Sequence, residues 1–129
     1  TTAMKYMTNR RLSFKYAFQG ITYLLQTQPN ARIHLAATSV VILISAWLNI
    51  NKLEWLFLIT AIGIVWLAEG FNTSLETVVN LATSEFHPLA KIAKDTAAAS
   101  VLISSITALL IGIIILAPPL WTKITGWFH

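Results

Sequence analysis

Three stretches of this chain are too apolar to be left in water. Leu35 to Ile50 reads LAATSVVILISAWLNI, Trp55 to Ala68 reads WLFLITAIGIVWLA, and Ala97 to Leu116 reads AAASVLISSITALLIGIIIL. A helix needs roughly 20 residues to cross the hydrocarbon core of a bilayer. The third stretch meets that length alone; the first two borrow flanking residues, which is where their polar groups lie. Helices of a soluble bundle would each keep a polar face, and Ile42, Leu43, Ile44, Ala46, Trp47 and Leu48 leave almost none. Composition agrees: charged residues make up 11% of the chain, against about 25% in an ordinary soluble domain. The expected fold is therefore an all-α integral membrane protein, one domain over residues 1–129.

The segments between the spans complete that picture. From Arg11 to Gln26, the residues Leu12, Phe14, Ala17, Phe18, Ile21, Leu24 and Leu25 recur at helical spacing, with Lys15, Gln19, Thr22 and Gln26 falling elsewhere. This pattern predicts an amphipathic helix over residues 11–26 lying in the membrane interface. Pro29-Asn30 is expected to break the chain before a helix over about 33–50. Asn51-Lys52 makes a tight turn into a helix over about 54–81, whose periodic pattern continues past Glu69 through Thr73, Leu75, Val78 and Val79. Ser84 to Pro88 reads as a loop, and Pro88 suits the first turn of a last helix over about 89–117. Pro118-Pro119 is expected to end that helix, leaving Trp121, Trp127 and Phe128 for an aromatic belt.

Orientation follows from the cations. Lys5, Arg10, Arg11, Lys15, Arg32, Lys91 and Lys94 fall on one side of the membrane, and Lys52 and Lys123 on the other. The N-terminus and the second loop are therefore expected in the cytoplasm. The basic residues border apolar spans rather than forming a patch interleaved with aromatics, so the formal charge of +4 points to a membrane surface and not to nucleic acid. Thr1 to Arg11 holds no apolar core, so no cleavable signal is expected there. The chain has no cysteine, which excludes thiol and disulfide chemistry.

One segment carries chemistry. The cytoplasmic end of the second span reads Glu69-Gly70-Phe71-Asn72-Thr73-Ser74-Leu75-Glu76-Thr77-Val78-Val79-Asn80. At about 100° per residue, Glu69, Asn72, Glu76 and Asn80 share a sector of roughly 80°. An ionisable group directly following an apolar span is costly and marks a functional site; a structural carboxylate paired with a nearby cation is the plainer alternative. Across the loop stand Lys91, Lys94 and Asp95. The last two helices must run antiparallel, so Lys94 and Asp95 are expected level with Glu69, Asn72 and Glu76. Carboxylates and amides offer oxygen ligands for Mg²⁺, and a lysine offers charge for phosphate. Together they are the equipment of phosphoryl transfer, in which a protein mainly positions groups and neutralises charge. Lys91 is better explained by the orientation rule. No glycine-rich phosphate loop is present. Asn72-Thr73-Ser74 matches a glycosylation acceptor but is expected on the cytoplasmic side. His34, His87 and His129 lack metal-ligand spacing; Arg32 and His34, on the basic Arg32-Ile33-His34 segment, are candidate contacts for headgroup or substrate.

At these residues the chain resembles the prokaryotic diacylglycerol kinase and undecaprenol kinase family. Glu69 to Val79 looks like that family's E-x-x-N-[ST]-A-[IL]-E-x-V-V signature. His87-Pro88-Leu89-Ala90-Lys91-Ile92-Ala93-Lys94-Asp95 is similar to its H-x-x-x-x-x-A-K-D block. The resemblance covers about Ser13 to Leu116. It implies a homotrimeric bundle in the bacterial cytoplasmic membrane, with active sites between neighbouring subunits at the membrane–cytoplasm boundary. It implies transfer of phosphate from ATP, with Mg²⁺, to undecaprenol or diacylglycerol, giving undecaprenyl phosphate or phosphatidic acid. Glu69 would be the general base on the lipid hydroxyl, Glu76 a ligand of the metal with Asn72 close by, Lys94 a partner of the phosphates, and Asp95 a neighbour of the nucleotide. Arg32-Ile33-His34 and Glu54-Trp55 favour the undecaprenol branch. Two positions depart from the pattern. Gln28 stands where a glutamate usually joins Glu76 in metal binding, and Asn80 stands where an aspartate is usual. Both remove a negative charge, which motivates an alternative: a catalytically weak relative serving as a lipid-binding or assembly subunit. A small transporter would need more polar residues along the spans than Ser104, Ser105 and Thr107 supply.

Overall fold

In a computed structural model, which describes residues 9–128, the chain forms four helices: α1 Arg10–Thr27, α2 Pro29–Leu48, α3 Lys52–Ala82 and α4 Pro88–Gly126. Lys5 and His129 lie outside the described residues. No strand occurs among the described residues, and α2, α3 and α4 are each long and apolar enough to cross a membrane.

The turns between helices are short, and each has a local cause. α1 begins at Asn9, whose side chain accepts the Arg11 N–H at 3.2 Å. It gives way to α2 across one extended residue, Gln28. α2 starts four residues before the expected position, because Pro29 occupies the first helical turn, where its missing N–H goes unneeded, instead of merely interrupting the chain. Arg32 fixes the bend. Its Nε donates to the Leu25 carbonyl at 2.8 Å and one terminal nitrogen donates to the Gln26 carbonyl at 2.6 Å, at the end of α1. α2 stops at Asn49, which takes the left-handed conformation (φ 57°) common just past a helix end. Asn51 then caps α3 reciprocally: its side chain accepts from Glu54 N–H and donates to Glu54 Oε1, both at 2.9 Å. At the last turn His87 Nδ1 accepts from Leu89 N–H at 3.1 Å, and Pro88 takes the first turn of α4.

The 31 residues of α3 span about 46 Å at 1.5 Å per residue, well beyond a hydrocarbon core of about 30 Å. The helix therefore carries its polar end out of the apolar zone. Its buried residues, Leu58, Ala61, Val65, Glu69 and Thr73, follow one another at helical spacing. They pack chiefly against α4, whose Ala97, Val101 and Ser104 are buried, while α2 contributes Ala31 and Ser45. Large apolar side chains such as Leu43, Leu67, Ile103 and Ile114 point outward, as a lipid-facing surface requires. α1 buries no residue. It lies along the upper part of α3, where Ala17, Gly20 and Leu24 face Trp66, Gly70 and Thr77 across a shallow cleft.

Pro118-Pro119 does not end α4, contrary to the sequence expectation; the helix runs on to Gly126 with both prolines inside it. Proline removes an internal hydrogen bond, yet such breaks are tolerated in membrane helices where other groups hold the segment. Here Thr122 Oγ1 donates to the Pro118 carbonyl at 3.1 Å. Beyond it Lys123 Nζ donates to the Trp47 carbonyl at 3.0 Å and sits 4.5 Å from the centre of the Trp47 ring, while Trp127 meets that ring edge-on at 6.0 Å. A cation at the C-terminus of α2 also complements its dipole. Removing that charge in Lys123→Met should cost about 0.5–1 kcal/mol, the size of one partly exposed cation–π contact. The measurement is thermal unfolding of the detergent-solubilised protein followed by near-ultraviolet tryptophan signals. An unchanged midpoint would show that Lys123 does not fasten α4 to α2.

Candidate functional site

The face of α3 that packs is also the face that carries its carboxylates. Glu69 continues the stripe begun by Leu58, Ala61 and Val65, and only 1% of its side chain is exposed. Neither carboxylate oxygen has a hydrogen bond. The nearest partner is His34 of α2, with Nε2 3.5 Å from Oε2. That distance is within ion-pair reach but the geometry is not that of a hydrogen bond, so His34 Nε2 is unsatisfied as well. One turn outward, the buried hydroxyl of Thr73 also lacks a partner. Polar atoms of three adjoining side chains, from two helices, thus sit buried and unsatisfied. Buried polar atoms are normally paired, and such exceptions call for an explanation.

His34 is held in place from the side. Its ring meets that of Trp66 edge-on, with centroids 6.4 Å apart. Trp66 Nε1 donates to Thr38 Oγ1 at 3.2 Å. These two contacts, His34 with Glu69 and Thr38 with Trp66, fix the antiparallel register of α2 and α3. The sequence offers His34 as a contact for headgroup or substrate; its pairing with Glu69 becomes legible in the structure. The available signal was a carboxylate at membrane depth facing a span that opens on a histidine.

Further out the polar groups separate into a second cluster. Lys94 Nζ donates to Asn80 Oδ1 at 2.6 Å. Asp95 pairs with Lys91 on the same helix face, one turn apart. Both members of that pair are more than half exposed, so it contributes little stability. These residues line an open cleft of about 510 Å³ with Thr83, Glu85 and His87. Lys94 and Asp95 therefore do not lie level with Glu69, as the sequence suggested. Loop residues 83–87 are short enough to set Lys94 against Asn80, eleven residues along α3 from Glu69, or about 16 Å of helix rise.

Asn72 and Glu76 occupy the interval between the clusters, on the same side of α3, and both are half-buried. Asn72 borders a cleft of about 550 Å³ against Ala97, Ser100 and Ser104 of α4. Glu76 has no hydrogen bond or ion pair to any described residue. Gln28, half-buried at the α1–α2 bend, donates weakly to Thr27 Oγ1 at 3.4 Å. Arg32 spends two of its nitrogens on the carbonyls of α1.

Among the described residues no three His, Asp or Glu side chains gather to hold a metal alone. Mg²⁺ needs less than that. It commonly binds one or two carboxylates and takes its other ligands from substrate phosphates and water. An unpartnered, half-buried Glu76 carboxylate fits a metal that arrives on a polyphosphate; a fully protein-made cage does not fit.

Comparison with known proteins gives a consistent result. A family model described as prokaryotic diacylglycerol kinase matches residues 15–116. A diacylglycerol kinase of Synechocystis sp. is 40% identical over 113 residues, covering 87% of this chain and 65% of that protein. The chain thus spans just under two thirds of that relative's length. An undecaprenol kinase of Bacillus subtilis is 35% identical over 108 residues, covering 84% of this chain and 88% of that protein. A diacylglycerol kinase of Escherichia coli is 30% identical over 101 residues, covering 78% and 83%.

Proposed function

The chain belongs to the prokaryotic diacylglycerol kinase family, and on that premise we propose that it is a lipid kinase of the bacterial membrane that transfers phosphate from ATP to a lipid alcohol. The observation that carries the proposal is Glu69: a carboxylate 1% exposed, with both oxygens unsatisfied, on the face of α3 that leads outward to Glu76 and Asn80. Such a group suits proton abstraction from a hydroxyl that enters from the apolar side.

In the proposed reaction, the hydroxyl oxygen of the lipid bonds to the γ-phosphorus of ATP, the bond from that phosphorus to the bridging oxygen breaks, and ADP leaves. Glu69 takes the hydroxyl proton. Lys94 neutralises phosphate charge from the outer cluster, Asn72 donates from the interval, and Asp95 borders the nucleotide. Glu76 would hold Mg²⁺, which when bound would withdraw charge from the phosphates. Gln28 is the second proposed ligand. The contacts His34–Glu69 and Thr38–Trp66 support it, because antiparallel continuation of that register brings residue 28 to the level of residue 76. Asn80, though neutral, accepts from Lys94, so the departure at that position leaves the lysine held. No observation favours the catalytically weak alternative.

Undecaprenol is the proposed substrate over diacylglycerol, on the strength of Arg32-Ile33-His34 and Glu54-Trp55; the two relatives' names divide between these lipids. A homotrimer is proposed with the family resemblance, and the outward apolar faces of α2, α3 and α4 leave room for neighbours. α1 is proposed to lie in the interface, with Phe14, Phe18 and Ile21 toward lipid. The N-terminus and residues 83–87 are proposed to be in the cytoplasm, since Arg10, Arg11, Lys15 and Arg32 precede or open the first span and Lys91 and Lys94 open the third.

Labelled phosphate transfer from ATP to purified undecaprenol and to diacylglycerol tests the activity, with phosphorylation of undecaprenol expected to be the faster. Glu69→Gln keeps shape without the proton acceptor and should lower turnover by about 10²–10⁴-fold, with MgATP binding retained. Turnover within a few-fold of the parent would remove Glu69 as base. Gln28→Glu restores a charged oxygen, and the Mg²⁺ concentration for half-maximal rate should fall; an unchanged Mg²⁺ titration would exclude position 28 from the metal site. Orientation is read with cysteines placed at Ser84 and Gly126 in this cysteine-free chain. An impermeant reagent should reach them from opposite sides, and labelling from one side would overturn the three-span topology.

A further inference from the structure

We propose that His34 is the positioning partner of Glu69 and the next acceptor of the proton that Glu69 takes from the lipid. This rests on the reading of Glu69 as base and adds to it. A carboxylate that accepts a proton must lose it before the next turnover. Glu69, 1% exposed, has no hydrogen bond through which to pass it. Thr73, one turn outward, is buried and equally unpartnered. His34 Nε2, itself buried, stands 3.5 Å from Oε2, so His34 is the nearest titratable group, and its side chain as a whole is less enclosed than that of Glu69.

The surroundings point the same way. Among the described residues, His34 is the one titratable group within ion-pair distance of Glu69. From α4 the buried neighbours of this face are Ala97, Val101 and Ser104, none of them charged. Arg32 is engaged with the end of α1, and Lys94 with Asn80. The histidine ring is not loose: Trp66 packs edge-on against it, and Thr38, one turn along the helix of His34, holds the indole N–H. A ring fixed by packing presents one nitrogen to one carboxylate oxygen, which is what a positioning residue requires. Catalytic hydrogen bonds are often long before substrate binds and shorten in the complex.

The proton balance is simple. The hydroxyl proton moves to Glu69 as the lipid oxygen bonds to phosphorus. It then moves to His34 Nε2, which must be unprotonated beforehand, giving an imidazolium beside the regenerated carboxylate. The imidazolium gives up a proton to water that enters as the phosphorylated lipid leaves, which restores neutral His34.

Full-length protein in lipid–detergent micelles provides the test, using His34→Ala, His34→Gln and Glu69→Gln. His34→Ala should lower kcat about 100-fold, within the range for proton-transfer groups, and leave KM for MgATP within about two-fold. Added imidazole should restore at least about a tenth of the parent rate if it accepts the proton. Triazole, of similar size but a far weaker base, should restore none. Equal recovery with both azoles would mean that the ring only fills space, and would overturn the proposal. His34→Gln retains a polar partner for Glu69 but accepts no proton, so it should remain slow. If His34→Ala does not fold, His34→Gln decides alone: a kcat within about three-fold of the parent overturns the inference. Full activity in His34→Gln with an inactive Glu69→Gln removes His34 and leaves the base reading intact. Full activity in Glu69→Gln removes the base reading itself.

Discussion

A carboxylate buried between helices, on a helix long and apolar enough to cross a membrane, is the constraint on which the rest of this molecule depends. Removing such a group from water costs several kcal/mol even after relaxation, as an order of magnitude, and Glu69 recovers no hydrogen bond in return. A sequence under stability pressure alone would place leucine there, since the same face of α3 already carries Leu58, Ala61 and Val65. The helix therefore uses one face for two purposes. Its membrane portion packs against α4, and its outer portion presents Glu76 and Asn80 with no change of rotational phase. Tight packing of the stripe is what desolvates Glu69, and desolvation raises the strength of any charge interaction made there.

The register of the helices follows from their turns, and the turns follow from few residues. Gln28 alone separates α1 from α2, Asn49 to Asn51 separate α2 from α3, and residues 83–87 separate α3 from α4. Connections this short force antiparallel neighbours and leave little freedom to slide. Arg32 at the carbonyls of α1 and the Asn51–Glu54 reciprocal cap hold two of the turns, and His87 with Pro88 holds the third. At the opposite end Lys123 ties α4 to the last turn of α2. The deep group of His34 and Glu69 and the outer group of Asn80 and Lys94 are consequences of these lengths.

Features set by periodicity were readable in the sequence: the three spans, the amphipathic α1, the continuation of α3 past Glu69 and the shared face of Glu69, Asn72, Glu76 and Asn80. Features set by docking between helices were not. Pro118-Pro119 reads locally as a stop, because nothing in the flanking residues reveals that Lys123 and Trp127 will find Trp47. Pro29 reads as a break although it starts α2, since one residue serves either role and the Arg32 contacts decide between them. Lys94 reads in sequence as level with Glu69, because antiparallel pairing fixes direction without fixing offset. The pairing of His34 with Glu69 depends on that same offset between α2 and α3, which no local pattern encodes.

The two neutral positions bear differently on the proposed chemistry. At position 80 an aspartate would form an ion pair with Lys94 and cancel part of its charge. Asparagine accepts a hydrogen bond from Lys94 through a neutral oxygen, so Lys94 is oriented while its full charge would stay available to phosphate in the proposed reaction. Asp95 does not compensate it, because Lys91 already occupies that carboxylate. At position 28 the loss has no such offset. A neutral amide near a divalent cation contributes a dipole where a carboxylate would contribute a charge, and Mg²⁺ discriminates strongly in favour of the latter. The outer cluster is thus more cationic than the family pattern, and the proposed metal position less anionic. In the proposed site, both shifts would move the burden of binding a polyphosphate from the metal to Lys94.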